Sequence, residues 1–313
     1  MYNLVINLGA NQYDEVGVVI ACKRLFALSR LFSSSVFREL AGKGRSAAFA
    51  RLVHEAAVLP RSLERARVRD VFDLAFRTLM QRGMRDEYIY KSALTHRVLL
   101  GKHSLRTASM LTEFRVGDCK ADIAILNGTT TVYEIKSERD SLSRLERQIE
   151  NYRKVFASVF VIAGEKHIDT VLAATPTDVG VMSLDHRYYT SLLRDAKNQP
   201  ERISPLAVLE SLRTNEAKQV LDELCIAVPD VPNTRLRRQL RKQFESLRPV
   251  DVHGAMLRVL KRTRDLQPLA KLVGRLPNSL HAAALSIPLC KGDHDRLVTA
   301  VNTSLAEALA WSS

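Results

Sequence analysis

A chain of 313 residues, 46% hydrophobic and 26% charged, can hold two domains or one domain with large helical additions, and is neither disordered nor collagen-like in composition. A formal net charge of +13 points to a partner that carries phosphates, nucleic acid or anionic lipid. An aromatic content of 6% argues against an extensive stacking platform for single-stranded bases.

Four cysteines (Cys22, Cys119, Cys225, Cys290) stand without C-x-x-C pairing, which argues against a zinc site or disulfide scaffold and suits a reducing cytoplasm. No apolar run reaches transmembrane length, and residues 1–17 lack a basic segment followed by an apolar core. Neither a membrane partner nor a secretory signal is therefore expected. The apolar run Val16–Leu31 is interrupted by Lys23, Arg24 and Arg30 and reads as an amphipathic helix, with a membrane-surface helix as its second reading.

Residues 1–82 carry helical periodicity. Leu25, Leu28, Leu31 and Phe32 recur at three- and four-residue steps, as do Val68, Val71, Phe72, Ala75, Phe76 and Leu79. Gly42–Ser46 is a basic turn without the spacing of a phosphate-binding loop, and His54-Glu55 lacks the second histidine of a zinc protease helix.

Residues 83–190 change character. A helix over Asp86–Leu100 leads to strands at Met110–Val116 and Ala121–Leu126, with Gly117–Lys120 as the turn between them. Asn127-Gly128 is a hairpin turn into a third strand, Thr130–Lys136. A helix follows over Ser141–Phe156, with Leu142, Leu145, Ile149, Tyr152 and Phe156 as its apolar stripe. Ser158–Ala163 is continuously apolar and reads as a buried strand. A short helix at His167–Ala174 and a strand at Val179–Ser183 complete an α/β core: a mixed sheet with helices on its faces.

Residues 191–313 read as a helical accessory domain cut into short helices by prolines. Arg235–Ser246 is its most basic segment. Arg235, Arg237, Arg238, Arg241 and Lys242 are candidates for phosphate contact, against the plainer reading of a solvated helix face. Gly292–Arg296 (GDHDR) reads as a loop without strand context.

The chemistry concentrates between Glu113 and Tyr152. Alternation puts Glu134 and Lys136 on one strand face, opposite Tyr133 and Ile135. The tight hairpin makes the neighbouring strand adjacent, so Asp122 can approach Glu134. Two carboxylates so placed repel unless a cation sits between them, and Mg²⁺ suits hard oxygen ligands. Lys136 beside them would offset charge and could orient or deprotonate a water. Plainer readings stand beside these. Glu134 and Lys136 could form an exposed strand face, Tyr152 could be core, Glu113 either a fourth acid or a solvated charge, and Asp140 with Arg144 a helix-start ion pair.

The pattern Asp122…Glu134-Ile135-Lys136 resembles the core of the PD-(D/E)XK nuclease superfamily. Gln148-x-x-x-Tyr152 is similar to the extra motif of its RecB and lambda-exonuclease-like branch, although Ala121 replaces the proline before the aspartate. The resemblance covers about Glu87–Ser183. It implies that Asp122, Glu134, the carbonyl of Ile135 and a further acid at Glu87 hold Mg²⁺, with Mn²⁺ substituting. It implies too that Lys136 assists the water, while Gln148 and Tyr152 support the site or touch the nucleic-acid backbone, with Arg144 as a phosphate contact. The activity expected is a cytoplasmic, metal-dependent phosphodiester hydrolase acting on DNA rather than RNA, in phage defence, restriction or repair. The alternative is a nucleic-acid-binding or regulatory protein of the same fold that does not cleave. A third reading gives the helical C-terminal region the task of recruiting a protein partner or a second copy.

Overall fold

The computed structural model describes residues 15–57, 65–81, 83–185, 187–290 and 292–312. The segment read for a secretory signal lies outside them as far as Asp14. Six strands form one mixed sheet in the order β1-β2-β3-β4-β5-β6: β1 (Ser109–Val116), β2 (Cys119–Leu126), β3 (Thr130–Lys136), β4 (Ser158–Ala163), β5 (Gly180–Leu184) and β6 (Thr190–Arg194). The β1–β2, β2–β3 and β5–β6 pairs are antiparallel, whereas β3–β4 and β4–β5 are parallel.

Before the sheet come α1 (Glu15–Leu31), α2 (Ser34–Lys43), α3 (Ala47–Ala56), α4 (Val68–Leu79), α5 (Glu87–Leu94) and α6 (Leu100–Lys102). The crossover helices are α7 (Leu145–Arg153) and α8 (Ile168–Ala174). After the sheet follow α9 (Pro205–Ser211), α10 (Thr214–Glu223), α11 (Asn233–Glu245), α12 (Pro249–Thr263), α13 (Ala270–Val273), α14 (His281–Ser286), α15 (Asp293–Asn302) and α16 (Leu305–Leu309). No helix among the described residues is long and apolar enough to cross a membrane.

Alternation along the strands builds two cores. Ile123, Ile125, Tyr133, Ile135 and Ile162 face one way, against the N-terminal helices and α13–α16. Ala124, Leu126, Val132, Val159 and Val161 face the other, against α7 and α9–α12. The two helical ends of the chain thus meet over one sheet face, where α15 packs on α2 and α4. The basic glycine turn links two of these helices: Gly44 closes α2 at φ 70°, and the Ser46 hydroxyl accepts from Phe49 N at 3.0 Å to cap α3.

Several boundaries differ from the sequence reading. The helix expected over Asp86–Leu100 widens to a π-helical turn at Thr95–Leu99. Gly101 permits this, since a Cβ there would lie 2.8 Å from the carbonyl oxygen of His96. The crossover helix is shorter than Ser141–Phe156. Asp140 turns back to accept from Ser137 N and Oγ at 2.8 and 2.7 Å, and the hydroxyls of Ser141 and Ser143 bond to each other. Such local bonds compete with helix formation. The expected Asp140–Arg144 pairing is replaced by this turn, and Arg144 becomes the residue preceding α7.

Strand β6 lies where helix was expected. Asp185 accepts from Arg187 N and Tyr189 N at 2.8 Å, making a tight turn that returns Thr190–Arg194 alongside β5. Gly180 opposite Phe160 is required there, because a Cβ would fall 2.2 Å from the ring. Gly292–Arg296, read as a loop, instead starts α15, where Asp293 in the first turn is ion-paired with Arg296.

Candidate functional site

Lys136 ends β3 on the face covered by α7, and both it and Glu134 are buried, at 4% and 1% exposure. Burial of two charges demands partners. Lys136 Nζ lies 2.8 Å from Glu134 Oε1 and 2.8 Å from Gln148 Oε1. The Tyr152 hydroxyl lies 2.8 Å from Glu134 Oε2 and 2.8 Å from the Lys120 carbonyl. Gln148 and Tyr152, one turn apart on α7, therefore brace the two ends of one ion pair. Tyr152 is fully buried, so it serves both the core and this network.

A second acidic group adjoins the first. Between Thr112↔Ile123 and Phe114↔Ala121 the β1–β2 register sets Glu113 opposite Asp122. Continuing the β2–β3 register one step past Ile123↔Tyr133 sets Asp122 opposite Glu134. Glu113 has φ 51°, a left-handed conformation that costs free energy outside glycine and gathers at functional positions. Glu87, in the first turn of α5, joins them: carboxylate oxygens of Glu87, Glu113 and Asp122 lie within 4.8 Å of one another.

Compensation inside this group is partial. Lys91 Nζ lies 2.6 Å from Glu87 Oε1 and 3.1 Å from Glu113 Oε1, and Asp122 Oδ2 accepts from Ile135 N at 2.8 Å. Burial works against the Lys91 ammonium, but Glu87 and Glu113 outweigh it and its pKa rises. Burial drives the Asp122 carboxyl well above the usual carboxylate range, with the charges of Glu134 and Glu87 adding to the effect. Burial also raises Glu134, opposed by the adjacent Lys136. Four carboxylates thus face two ammonium groups, leaving two formal negative charges.

The groups line a cleft of about 530 Å³ whose wall includes Ile135 and whose cations include Lys120, Arg144 and Arg147. Arg147 is ion-paired with Asp118. The structure thus brings together Glu87, Asp122, Glu134, Ile135, Lys136, Gln148, Tyr152 and Arg144. Sequence reasoning grouped Glu134 with Asp122 and Glu87 as ligands, whereas the converging oxygens are those of Glu87, Glu113 and Asp122. Glu134 sits one position along the row, tied to Lys136 and Tyr152.

The basic residues of α11 stand outside the cleft. Arg241 pairs with Glu210 at 2.8 Å, Arg237 donates to the Leu209 carbonyl at 3.0 Å, and Arg235, Arg238 and Lys242 are exposed. Lys91, Lys120 and Arg147 were missed in the sequence. Lys91 carried a signal, since it stands four residues after Glu87 on one helix. Glu113, open in the sequence between a fourth acid and a solvated charge, is placed with the acids by the hairpin register.

The fold and the site define a mixed α/β protein with an acidic, lysine-braced cleft where an antiparallel hairpin meets a parallel sheet. The chain belongs to the family described as Bacteriophage P4 protein cII, whose sequence profile matches residues 80–270. It is 35% identical over 86 residues to Protein cII of Enterobacteria phage P4, a match spanning 27% of this chain and 33% of that relative. Among solved structures, a protein of unknown function from Silicibacter pomeroyi is similar at 18% identity and a TM-score of 0.30, over 45% of this chain and 90% of that one.

Proposed function

We propose that this chain is a divalent-metal-dependent nuclease of the PD-(D/E)XK type, hydrolysing phosphodiester bonds in DNA rather than RNA. One observation carries the reading: three carboxylates converge within 4.8 Å beside a buried Glu134–Lys136 pair. The donor set fits a hard cation, because it is all oxygen and leaves two negative charges uncompensated. Glu87, Glu113 and Asp122 would hold Mg²⁺, with Mn²⁺ as a substitute and Glu134 adjoining. When bound, the ion supplies Lewis-acid polarisation of a phosphate and lowers the pKa of water.

The chain's own residues do the rest. Lys136, fixed between Glu134 and Gln148, holds a positive charge toward the phosphate and orients the attacking water. Gln148 and Tyr152 keep Glu134 and Lys136 in place. Arg144, Arg147 and Lys120 at the cleft wall contact flanking phosphates. Water oxygen bonds to phosphorus as one ester P–O bond breaks, and the leaving oxygen takes up a proton.

A second reading rests on a different observation. Both oxygens of Glu134 are already engaged, by Lys136 and by Tyr152, as they would be in a nucleic-acid-binding protein that keeps this core as structure and does not cleave. Incubating the protein with supercoiled plasmid, linear duplex, single-stranded DNA and RNA, in Mg²⁺, Mn²⁺ or EDTA, separates the two. Metal-dependent cleavage lost in Lys136→Ala and Asp122→Asn, with folding retained, supports the nuclease. Salt-sensitive binding without cleavage of any substrate overturns it in favour of the second reading.

A further inference from the structure

A second concavity, about 550 Å³, runs along the outer edge of β1. β1 is an edge strand, so one side of its backbone has no strand partner. The groove is walled on one side by the α9–α10 junction and on the other by the segments that precede α13 and follow α14. Its contents are mixed. Arg115, Arg213 and Arg264 supply positive charge, while Leu269, Ile287 and Pro288 supply apolar surface.

The cations differ in availability. Arg264 is held by Glu216, at 2.8 Å from its Nε. Arg213 is exposed, and Arg115 is exposed with its Nε bonded to the Gly117 carbonyl at 3.3 Å. Asp265 is the acid at the far wall. Glu113 lines this groove and also the acidic cleft, so the two concavities abut at the residue with left-handed φ. Arg115 and Arg213 therefore stand in a groove that adjoins the converging carboxylates at Glu113.

We infer that this groove receives a single-stranded end of a nucleic acid and feeds it into the acidic cleft. The inference rests on the nuclease reading of that cleft and names its substrate class. Exposed arginines match a phosphate backbone, and the leucine, isoleucine and proline side chains offer apolar contact to unstacked bases. The volume matches a small-ligand pocket and accommodates one or two nucleotides, not a turn of duplex. A short aliphatic groove of this kind needs no extensive aromatic platform, in keeping with the 6% aromatic content. A peptide strand added to the β1 edge would need no arginines and no opening onto the acids.

The test compares binding of a fluorescein-labelled blunt DNA duplex with that of the same duplex carrying a short single-stranded tail. Anisotropy is read in EDTA, where metal-dependent cleavage is absent. The full chain, an Arg115→Gln/Arg213→Gln variant and an Arg235→Gln/Arg238→Gln variant are titrated, and melting curves verify that each is folded. The expected result is at least fivefold tighter binding of the tailed duplex. That preference should vanish in Arg115→Gln/Arg213→Gln and persist in Arg235→Gln/Arg238→Gln, which removes equal charge from α11. Equal affinity for both duplexes, no binding of either, or a preference untouched by the groove variant overturns the inference. Cleavage in Mg²⁺ is scored separately. A protein that prefers tails through the groove but cuts nothing loses the nuclease reading alone, and one that cuts without tail preference loses the groove alone.

Discussion

Two groups of charge stand side by side at this site and are built on opposite principles. Around Glu134 every charge is answered: Lys136 and Tyr152 take its two oxygens, and Gln148 takes a second Lys136 hydrogen bond. Around Asp122 three carboxylates converge and Lys91 answers only part of their charge. A buried, fully partnered pair fixes geometry, whereas a surplus of like charge held in place is a standing demand for a cation. The contrast separates side chains that position from side chains that would bind.

Breaking the partnered group should give the largest effect. Glu134→Ala leaves the Lys136 ammonium buried without its anion, which costs about 3–5 kcal/mol. Urea denaturation would read this as a fall in midpoint. The double variant Glu134→Leu/Lys136→Met should recover most of the loss, since it removes both charges and keeps apolar volume. A double variant as unstable as the single one would show that packing, not the unpaired charge, sets the cost.

The acidic group should respond to metal instead. Saturating Mg²⁺ at a hundredfold excess over its dissociation constant would stabilise the fold by about 2.7 kcal/mol. The shift in melting temperature should disappear in Glu113→Gln/Asp122→Asn. An equal shift in that variant would place the ion elsewhere and dissolve the distinction between the groups.

Without metal, Asp122→Asn should change stability with the opposite sign to Glu134→Ala. The amide oxygen can still accept from Ile135 N, while the cost of burying a charge and the repulsion from Glu134 and Glu87 are gone. A gain in stability at pH 8 is expected. The pH dependence fixes the cause. The folded pKa of Asp122 is raised, so its favourable contribution is complete below the ordinary value of 3.8 and is lost as pH rises through the raised one. Denaturation in EDTA should therefore show wild type and Asp122→Asn converging as the pH is lowered. A gap that stays constant with pH would rule out the Asp122 charge as the cause.

Much of this contrast was legible in the sequence, and the missing part has physical causes. Turn signals, β-branched content and the continuous apolar run Ser158–Ala163 identified β1 to β5 to within two residues at each end, and with them the neighbourhood of Asp122, Glu134 and Lys136. Gln148 and Tyr152 followed from the resemblance carried by Gln148-x-x-x-Tyr152, whose helical spacing sets them one turn apart. β6 was hidden because Leu192, Leu193 and Arg194 favour helix, and pairing with β5 overrides that preference. Glu113 stayed open between a fourth acid and a solvated charge, because its convergence depends on a left-handed backbone that a propensity argument does not reveal. The ends of α7 were hidden because side-chain bonds at Asp140 and Ser141 outcompete the first helical turn.

The Tyr152 hydroxyl gives the sharpest division between the groups. Tyr152→Phe removes one hydroxyl from between Glu134 Oε2 and the Lys120 carbonyl, leaving a fully buried ring in place. The loss should be about 1–2 kcal/mol, because a buried carboxylate gives up one of its hydrogen bonds while Lys136 remains. Isothermal titration with Mg²⁺ should find an affinity within about threefold of wild type, since Tyr152 touches none of Glu87, Glu113 and Asp122. Should the variant keep its stability yet bind Mg²⁺ tenfold more weakly, Glu134 would belong with the cation-binding acids, and the row Glu113, Asp122 and Glu134 would act as one site.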